Sequence, residues 1–155
     1  MARIVEVGDK ESTEREAVAE CSISMTPDAC AQLVAGTPKG DPIEAARIAG
    51  LMATKRTPDL LPFCHPIAIT SAEVLVEPDT DAGSIRVQAT VRARDRTGVE
   101  MEALTAGAVA ALCLYDTAKP YDRAAVISGL RLLEKSGGKS GDYRALQGEG
   151  EIPRG

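Results

Sequence analysis

The sequence predicts one α+β domain, with helices on one face of a four-stranded antiparallel sheet. Three observations carry that expectation. Residues 84–95 alternate strictly: Ile85, Val87, Ala89, Val91 and Ala93 face one way, Arg86, Gln88, Thr90, Arg92 and Arg94 the other, which is the period of a half-buried strand. Two helix starts are written in full, Thr26 before Pro27, and Asp41 before Pro42 with Glu44 three residues after the cap. A third helix is expected over about 99–117, around the nearly apolar run from Ala103 to Leu114.

Taken in order, residues 1–16 are charged and read as a mobile lead-in with a short strand at Ile4–Val7. Ala17, Ala19, Cys21, Ile23 and Met25 alternate loosely and predict a strand. The helix opened by Thr26 stops at Gly36. The helix opened by Asp41 runs to about residue 56 and is apolar almost all round, so it is expected to be buried. Residues 57–66 contain Pro58, Pro62 and Pro66 and are expected to be irregular. Ile67–Glu77 and Ser84–Asp95, joined by Pro-Asp-Thr-Asp-Ala-Gly, form a hairpin. A last strand is expected at about 125–133. The order is β-α-α-β-β-α-β. With the two early helices counted as one crossover, this is the ferredoxin-like plan. One catalytic domain is expected over residues 1–143, followed by a flexible polar tail over 144–155. The arginine-bearing face of the sheet must meet water, ligand or another subunit.

Composition narrows the function. A chain of 155 residues buries roughly 68–70% of its unfolded surface. With one Phe, three Tyr and no Trp, its core must be built from Ala, Val, Leu and Ile. A net charge of −5 argues against a surface devoted to nucleic acid, and strands 17–25 and 84–95 lack the aromatics that stack on RNA bases. The four cysteines are scattered without a Cys-x-x-Cys pair, and the N-terminus has no apolar signal core. Residues 103–114 are too few to span a bilayer. The expectation is a cytoplasmic protein that binds neither nucleic acid nor membrane.

Chemically capable residues gather in short runs. Glu100 and Glu102 open the third helix, where carboxylates also favour the helix dipole; being two apart, they point to different sides. Asp116 and Lys119 are one turn apart. They form either a solvated ion pair or a proton-transfer pair, and Asp116 is placed at the end of a run expected to be buried. His65, the sole histidine, lies beside Cys64 in the proline-rich loop; the cysteine spacing gives no zinc signature, so no metal site is expected. Lys39 precedes a helix N-terminus, a place suited to an anion. Lys135-Ser-Gly-Gly-Lys139-Ser-Gly-Asp142 combines glycines, hydroxyls and lysines that suit phosphate, although it is not a P-loop; a flexible basic segment has the same composition. Together these residues suggest acid/base catalysis on a polyanion. A ferredoxin-like regulatory module and a purely structural oligomer are the rivals from other classes.

At these residues the chain resembles the cyclic pyranopterin monophosphate synthase family, also called molybdenum cofactor biosynthesis protein C. The matching runs are KGD (39–41), ARIAG (46–50), ATKRTPDLLPFCHP (53–66), TGVEMEALTAGAVAA (97–111), YDTAK (115–119) and RLLEKSGGKSGD (131–142), with a weaker match over Val5–Ala17. The resemblance implies a ferredoxin-like lyase that converts a cyclised dihydroguanosine triphosphate into cyclic pyranopterin monophosphate and pyrophosphate. It implies a homohexamer, a trimer of dimers, with active sites at subunit contacts. Asp116, Lys39 and Lys119 match the family's catalytic residues. Phe63, Cys64, His65, Met101 and Glu102 match substrate-contacting segments, and Glu100, Lys135, Lys10 and Arg15 align with pocket residues; Lys139 is added from the glycine-rich run. No resident cofactor is expected, with Mg²⁺ admitted only alongside the triphosphate or pyrophosphate. Around Lys119 the run Ala118-Lys119-Pro120-Tyr121 departs from the family's commoner residues, and Pro120 is expected to end the helix.

Overall fold

A computed structural model describes residues 1–146 of the protein. The elements are β1 (Thr13–Ser24), α1 (Pro27–Ala35), α2 (Pro42–Leu60), β2 (Ile69–Asp79), β3 (Ser84–Asp95), α3 (Glu100–Ala118), β4 (Val126–Ser136) and β5 (Tyr143–Arg144). The strands form one antiparallel sheet in the order β2-β3-β1-β4-β5. The α+β class and three helices agree with the sequence; the sheet has five strands where four were expected. The fifth is two residues long, too short to show a period. It exists because positive-φ glycines 137, 138 and 141 turn the chain back, so that Tyr143 pairs with Lys135 and Arg144 with Glu134. Arg144, expected to open a flexible tail, therefore sits in the sheet; the expected tail from residue 147 onward lies outside the described residues.

The helix starts follow from their caps. The Thr26 hydroxyl accepts from the Ala29 N–H at 3.2 Å, and the Asp41 carboxylate accepts from Ile43 at 2.9 Å and Glu44 at 3.3 Å. Two expectations about α2 are corrected. It does not end at residue 56 but continues through Pro58 to Leu60. Its last turn is closed by the Leu61 N–H on the Thr57 carbonyl and by the Thr57 hydroxyl on Ala53. Nor is it buried all round: Pro42, Ala46, Gly50, Ala53, Thr54 and Thr57 face inward, while Ile48 and Met52 are at least half exposed. The buried stripe is made of small residues because α3 lies close against it. A Cβ on Gly50 would stand 2.9 Å from Val74 Cγ2 and 3.1 Å from the Ala106 carbonyl.

β1 begins at Thr13, inside the segment read as a lead-in, and Ile4–Val7 is not a strand. The first residues of β1 look like a charged leader because they belong to the open face of the sheet. There Glu14 pairs with Arg94, Glu16 with Arg92, and Glu20 with both Arg86 and Arg131. The opposite face carries Cys21, Ile23, Val74, Val76, Ile85, Val87 and Ala89 against Ala106, Ala110 and Leu114 of α3. A smaller cluster, Ala17, Ala19, Val91, Ala93, Val99 and Ala103, continues this core towards the start of α3. As the scarcity of aromatics required, the core is aliphatic.

Candidate active site at the two ends of helix α3

The C-terminal end of α3 carries three of the expected residues. Asp116 and Lys119 lie one turn apart, and Lys119 Nζ donates to Asp116 Oδ1 at 2.7 Å. Lys39 comes from the turn between α1 and α2. That turn is closed by reciprocal backbone bonds between Thr37 and Gly40, with Gly40 at φ 120, a conformation natural to glycine. Lys39, Asp116, Thr37, Thr117, Pro120 and Tyr121 line one cavity of about 250 Å³. The hydrogen bond from Lys119 and its charge hold the Asp116 carboxyl below its ordinary value, with Lys39 adding to the effect. Asp116 is thus a carboxylate at neutral pH, close to the ammonium groups of Lys119 and Lys39. Its expected burial is corrected: the side chain is 58% exposed, because it leaves the helix on the side away from the sheet. Pro120 follows the helix end as expected. Tyr121 on the cavity wall was missed; only its place two residues after Lys119 hinted at it.

The N-terminal end of α3 carries a second group. Lys135 Nζ lies 3.0 Å from Glu100 Oε1 and donates to Ser140 Oγ at 2.7 Å. These three residues, with Arg131, Asp142 and Tyr143, line a cavity of about 810 Å³ whose outer wall is the connection to β5. Arg131 and Tyr143 were not expected in a site: Arg131 was read only as part of the last strand, and Tyr143 is brought in by a strand too short to read, whereas Asp142 closes the glycine-rich run read as suited to phosphate. Arg15 belongs to this end: its Nε donates to the Asp95 carbonyl at 3.3 Å, and Gly137 and Gly138 pack against Glu14 and Arg15. Lys139 is exposed and not on the cavity wall, and Lys10 lies exposed in the irregular segment before β1.

Glu100 and Glu102 point to different sides of the helix, as their spacing required. Glu100 faces the cavity; Glu102 turns inward, is 2% exposed, and its Oε2 has no hydrogen-bond partner. Burial pushes its carboxyl up to about 7, its own backbone N–H pulls the other way, and Glu100 and Asp95 push it further up. Cys64 lies near enough for Glu102 to raise its thiol, after burial has done so first. His65 is half-buried beside it, while Phe63 and Met101 are exposed.

One chain does not bring the two groups together. Glu100 and Asp116 are sixteen residues apart on one straight element, about 24 Å at 1.5 Å per residue.

The model of the MoaC family matches residues 4–138, which span both ends of the helix and every expected site residue except Lys139. The chain belongs to the MoaC family. Cyclic pyranopterin monophosphate synthases of Brucella ovis and Brucella melitensis are each 52% identical to it over 143 residues, 92% of this chain and 87% of theirs. That of Brucella suis is 51% identical over the same length. Among the described residues, no helix is long and apolar enough to cross a membrane.

Proposed function

We propose that this chain is a cyclic pyranopterin monophosphate synthase of molybdenum cofactor biosynthesis, a lyase acting on 3′,8-cyclo-7,8-dihydro-GTP and releasing pyrophosphate. Membership of the MoaC family carries the reading. The arrangement of Lys39, Asp116 and Lys119 around one cavity supports it, since ring opening and closure need groups that give and take protons in place. In this reading Asp116 accepts a proton and Lys119, hydrogen-bonded to it, returns one. Lys39 supplies positive charge from the other side. Lys135 and Arg15, with Lys139 and Lys10 approaching from exposed positions, hold the triphosphate and balance charge on departing pyrophosphate. Glu100, Glu102, Met101 and the Phe63-Cys64-His65 segment orient the base and sugar. Protons and charge are supplied by side chains, so we assign no resident cofactor; Mg²⁺ enters only as a companion of the polyphosphate.

We further read the active site as shared between copies in a homohexamer built as a trimer of dimers. The support is geometric. The two residue groups are about 24 Å apart on α3, and Met101, Leu112 and Lys119 recur on one side of that helix at the 3.6-residue period. Met101 and Leu112 are large, apolar and exposed, as are Ile48 and Met52 of α2. A second copy would cover this side and set its own α3 end against the first. The βαββαβ core with β1 and β3 at its centre is read as ferredoxin-like, with β5 added at the edge, and the location as cytoplasmic.

The test is turnover of the freshly prepared cyclised triphosphate by the wild type, by Lys39→Ala and by Asp116→Asn, scoring pterin product and pyrophosphate. The wild type should turn over after exhaustive treatment with a chelator. Each variant should lose roughly 10²–10⁴-fold in kcat while keeping its fold. A folded wild type that binds the triphosphate without converting it would replace this reading with the regulatory module.

A further inference from the structure

Neither the one Phe nor any of the three Tyr is buried, although aromatic rings remove more area from water than any aliphatic side chain. Three of the four have a place. Tyr115 packs against the core and its hydroxyl donates to the Arg123 carbonyl at 3.0 Å. Phe63 belongs to the segment matched to substrate contact, and Tyr143 lines the cavity beside Lys135. Tyr121 has none. It is 42% exposed, lines the Lys39–Asp116 cavity, and lies in the run that departs from the family's commoner residues, so family membership assigns it no role.

The turn that carries Tyr121 is pinned. Its N–H donates to the Ala118 carbonyl at 2.8 Å, and the Asp122 N–H donates to the same carbonyl at 2.9 Å. The Asp122 carboxylate accepts from the Thr26 N–H at 3.0 Å and from the Ala124 N–H at 2.9 Å. Pro38, on the same cavity, is carried by the turn that the Thr37–Gly40 bonds close. Both lining hydroxyls are committed to backbone: Thr37 donates to the Gly40 carbonyl at 3.3 Å and Thr117 to the Leu114 carbonyl at 3.0 Å. What the cavity offers is therefore apolar surface from Pro38, Pro120 and Tyr121, with Lys39 and Asp116 as its charged groups. Apolar walls with a few placed polar groups suit a flat fused heteroaromatic ring, which has apolar faces and a polar edge. At about 250 Å³ the space lies below the roughly 300–1,000 Å³ of pockets for larger ligands, so a triphosphate must extend outside it.

We propose that Tyr121 is a substrate-positioning residue whose ring packs on the face of the fused ring system while Asp116 and Lys39 meet its edge. This rests on the reading of the substrate as a cyclised purine nucleotide, and deepens it. The residues assigned above to the base and sugar belong to the other end of α3, and none of them lines this cavity.

The test compares steady-state turnover of the cyclised triphosphate by the wild type, Tyr121→Phe, Tyr121→Leu and Tyr121→Ala. Leucine keeps apolar bulk and loses the aromatic face; phenylalanine keeps the face and loses the hydroxyl. KM should rise about fivefold to fiftyfold in Tyr121→Leu and Tyr121→Ala, with kcat within about threefold, because the contact holds the ring before and during reaction alike. Tyr121→Phe should bring KM back to within about twofold of the wild type. A wild-type KM in Tyr121→Leu overturns the inference, as does a Tyr121→Phe as impaired as Tyr121→Ala, or a loss confined to kcat. Should Tyr121→Ala fail to fold, the leucine and phenylalanine variants decide. Should the wild type give no product, the proposed activity fails and quenching of the fluorescence of 2-amino-4-hydroxypteridine decides this inference by itself. Quenching kept by Tyr121→Phe and lost in Tyr121→Leu upholds it; no quenching by the wild type, or equal quenching by all, overturns it.

Discussion

Asp116 and Glu102 are carboxylates on the same helix, and their surroundings drive them in opposite directions. Asp116 stands in solvent between Lys119 and Lys39, and those cations hold its proton affinity down. Glu102 stands in the core among Asp95, Glu100 and Cys64, and burial pushes its proton affinity up to about 7. Helix position alone gives the reverse ranking, because an acid in the first turn is favoured as an anion and one in the last turn is not. Desolvation and local partners outweigh the dipole here. One helix thus carries a carboxyl held to its anion at one end and one pushed towards its neutral form at the other.

The largest test of this contrast asks whether the two ends work in one site. Asp116→Asn and Lys135→Ala, each inactive alone, are to be mixed, dissociated and reassociated. If each site takes one end of α3 from each copy, random reassociation restores about a quarter of wild-type activity, since half the dimers are mixed and each has one intact site. No recovery would mean that each chain's two ends serve separate sites.

A smaller effect separates the acids by stability. The Glu102 carboxyl has a folded value of about 7 against an ordinary 4.5, so the native state keeps a proton that the unfolded chain has released. Its stabilising contribution is complete below about pH 4.5 and is lost as pH rises through 7, roughly 1–3 kcal/mol in all. Thermal melts should show the wild type losing several degrees more than Glu102→Gln between pH 5 and 8, about 2–8 °C. Equal slopes would show that some other group carries the dependence. Asp116 has the opposite sign, with any contribution lost as pH falls below the carboxylate range. Because it is exposed, Asp116→Asn should move the melting temperature at pH 7 by less than about 2 °C, the smallest effect of the series. A larger drop would mean that Asp116 supports the fold as well as the chemistry.

Much of this arrangement was legible in the chain. Thr26-Pro27 and Asp41-Pro42 placed two helix starts correctly because a cap is a local event, needing only one side chain and the next few N–H groups. The alternation of β3 gave both its bounds, since that strand is central and has one face in the core. The start of β1 was hidden because Glu14 and Glu16 are explained by Arg94 and Arg92, some eighty residues away. α2 ran past its expected end because Pro58 was read as a breaker, yet the turn around it is closed from Thr57 and Leu61. Among site residues, the Asp116–Lys119 pair could be read from its spacing. The inward turn of Glu102 could not, because which side of α3 is buried depends on where α2 and the sheet lie. The long-range meeting of Lys39 with Asp116 came from the resemblance, not from the spacing.

The glycines of the Lys135–Asp142 run have a further consequence. Their freedom was read as room for a phosphate, but at Gly137 and Gly138 the space is occupied by protein, and only Gly141 opens onto free space. A Cβ on Gly137 would lie 2.1 Å from the Glu14 carbonyl, and one on Gly138 would lie 1.8 Å from Arg15 Nη1, with both backbones at positive φ. In a library that randomises residues 136–141 and selects for a folded chain, Gly137 should tolerate almost no replacement and Gly138 few. Ser136 and Lys139, both exposed, should vary freely until selection also asks for activity. That difference in tolerance would separate the part of the loop that builds the wall from the part that the fold leaves free.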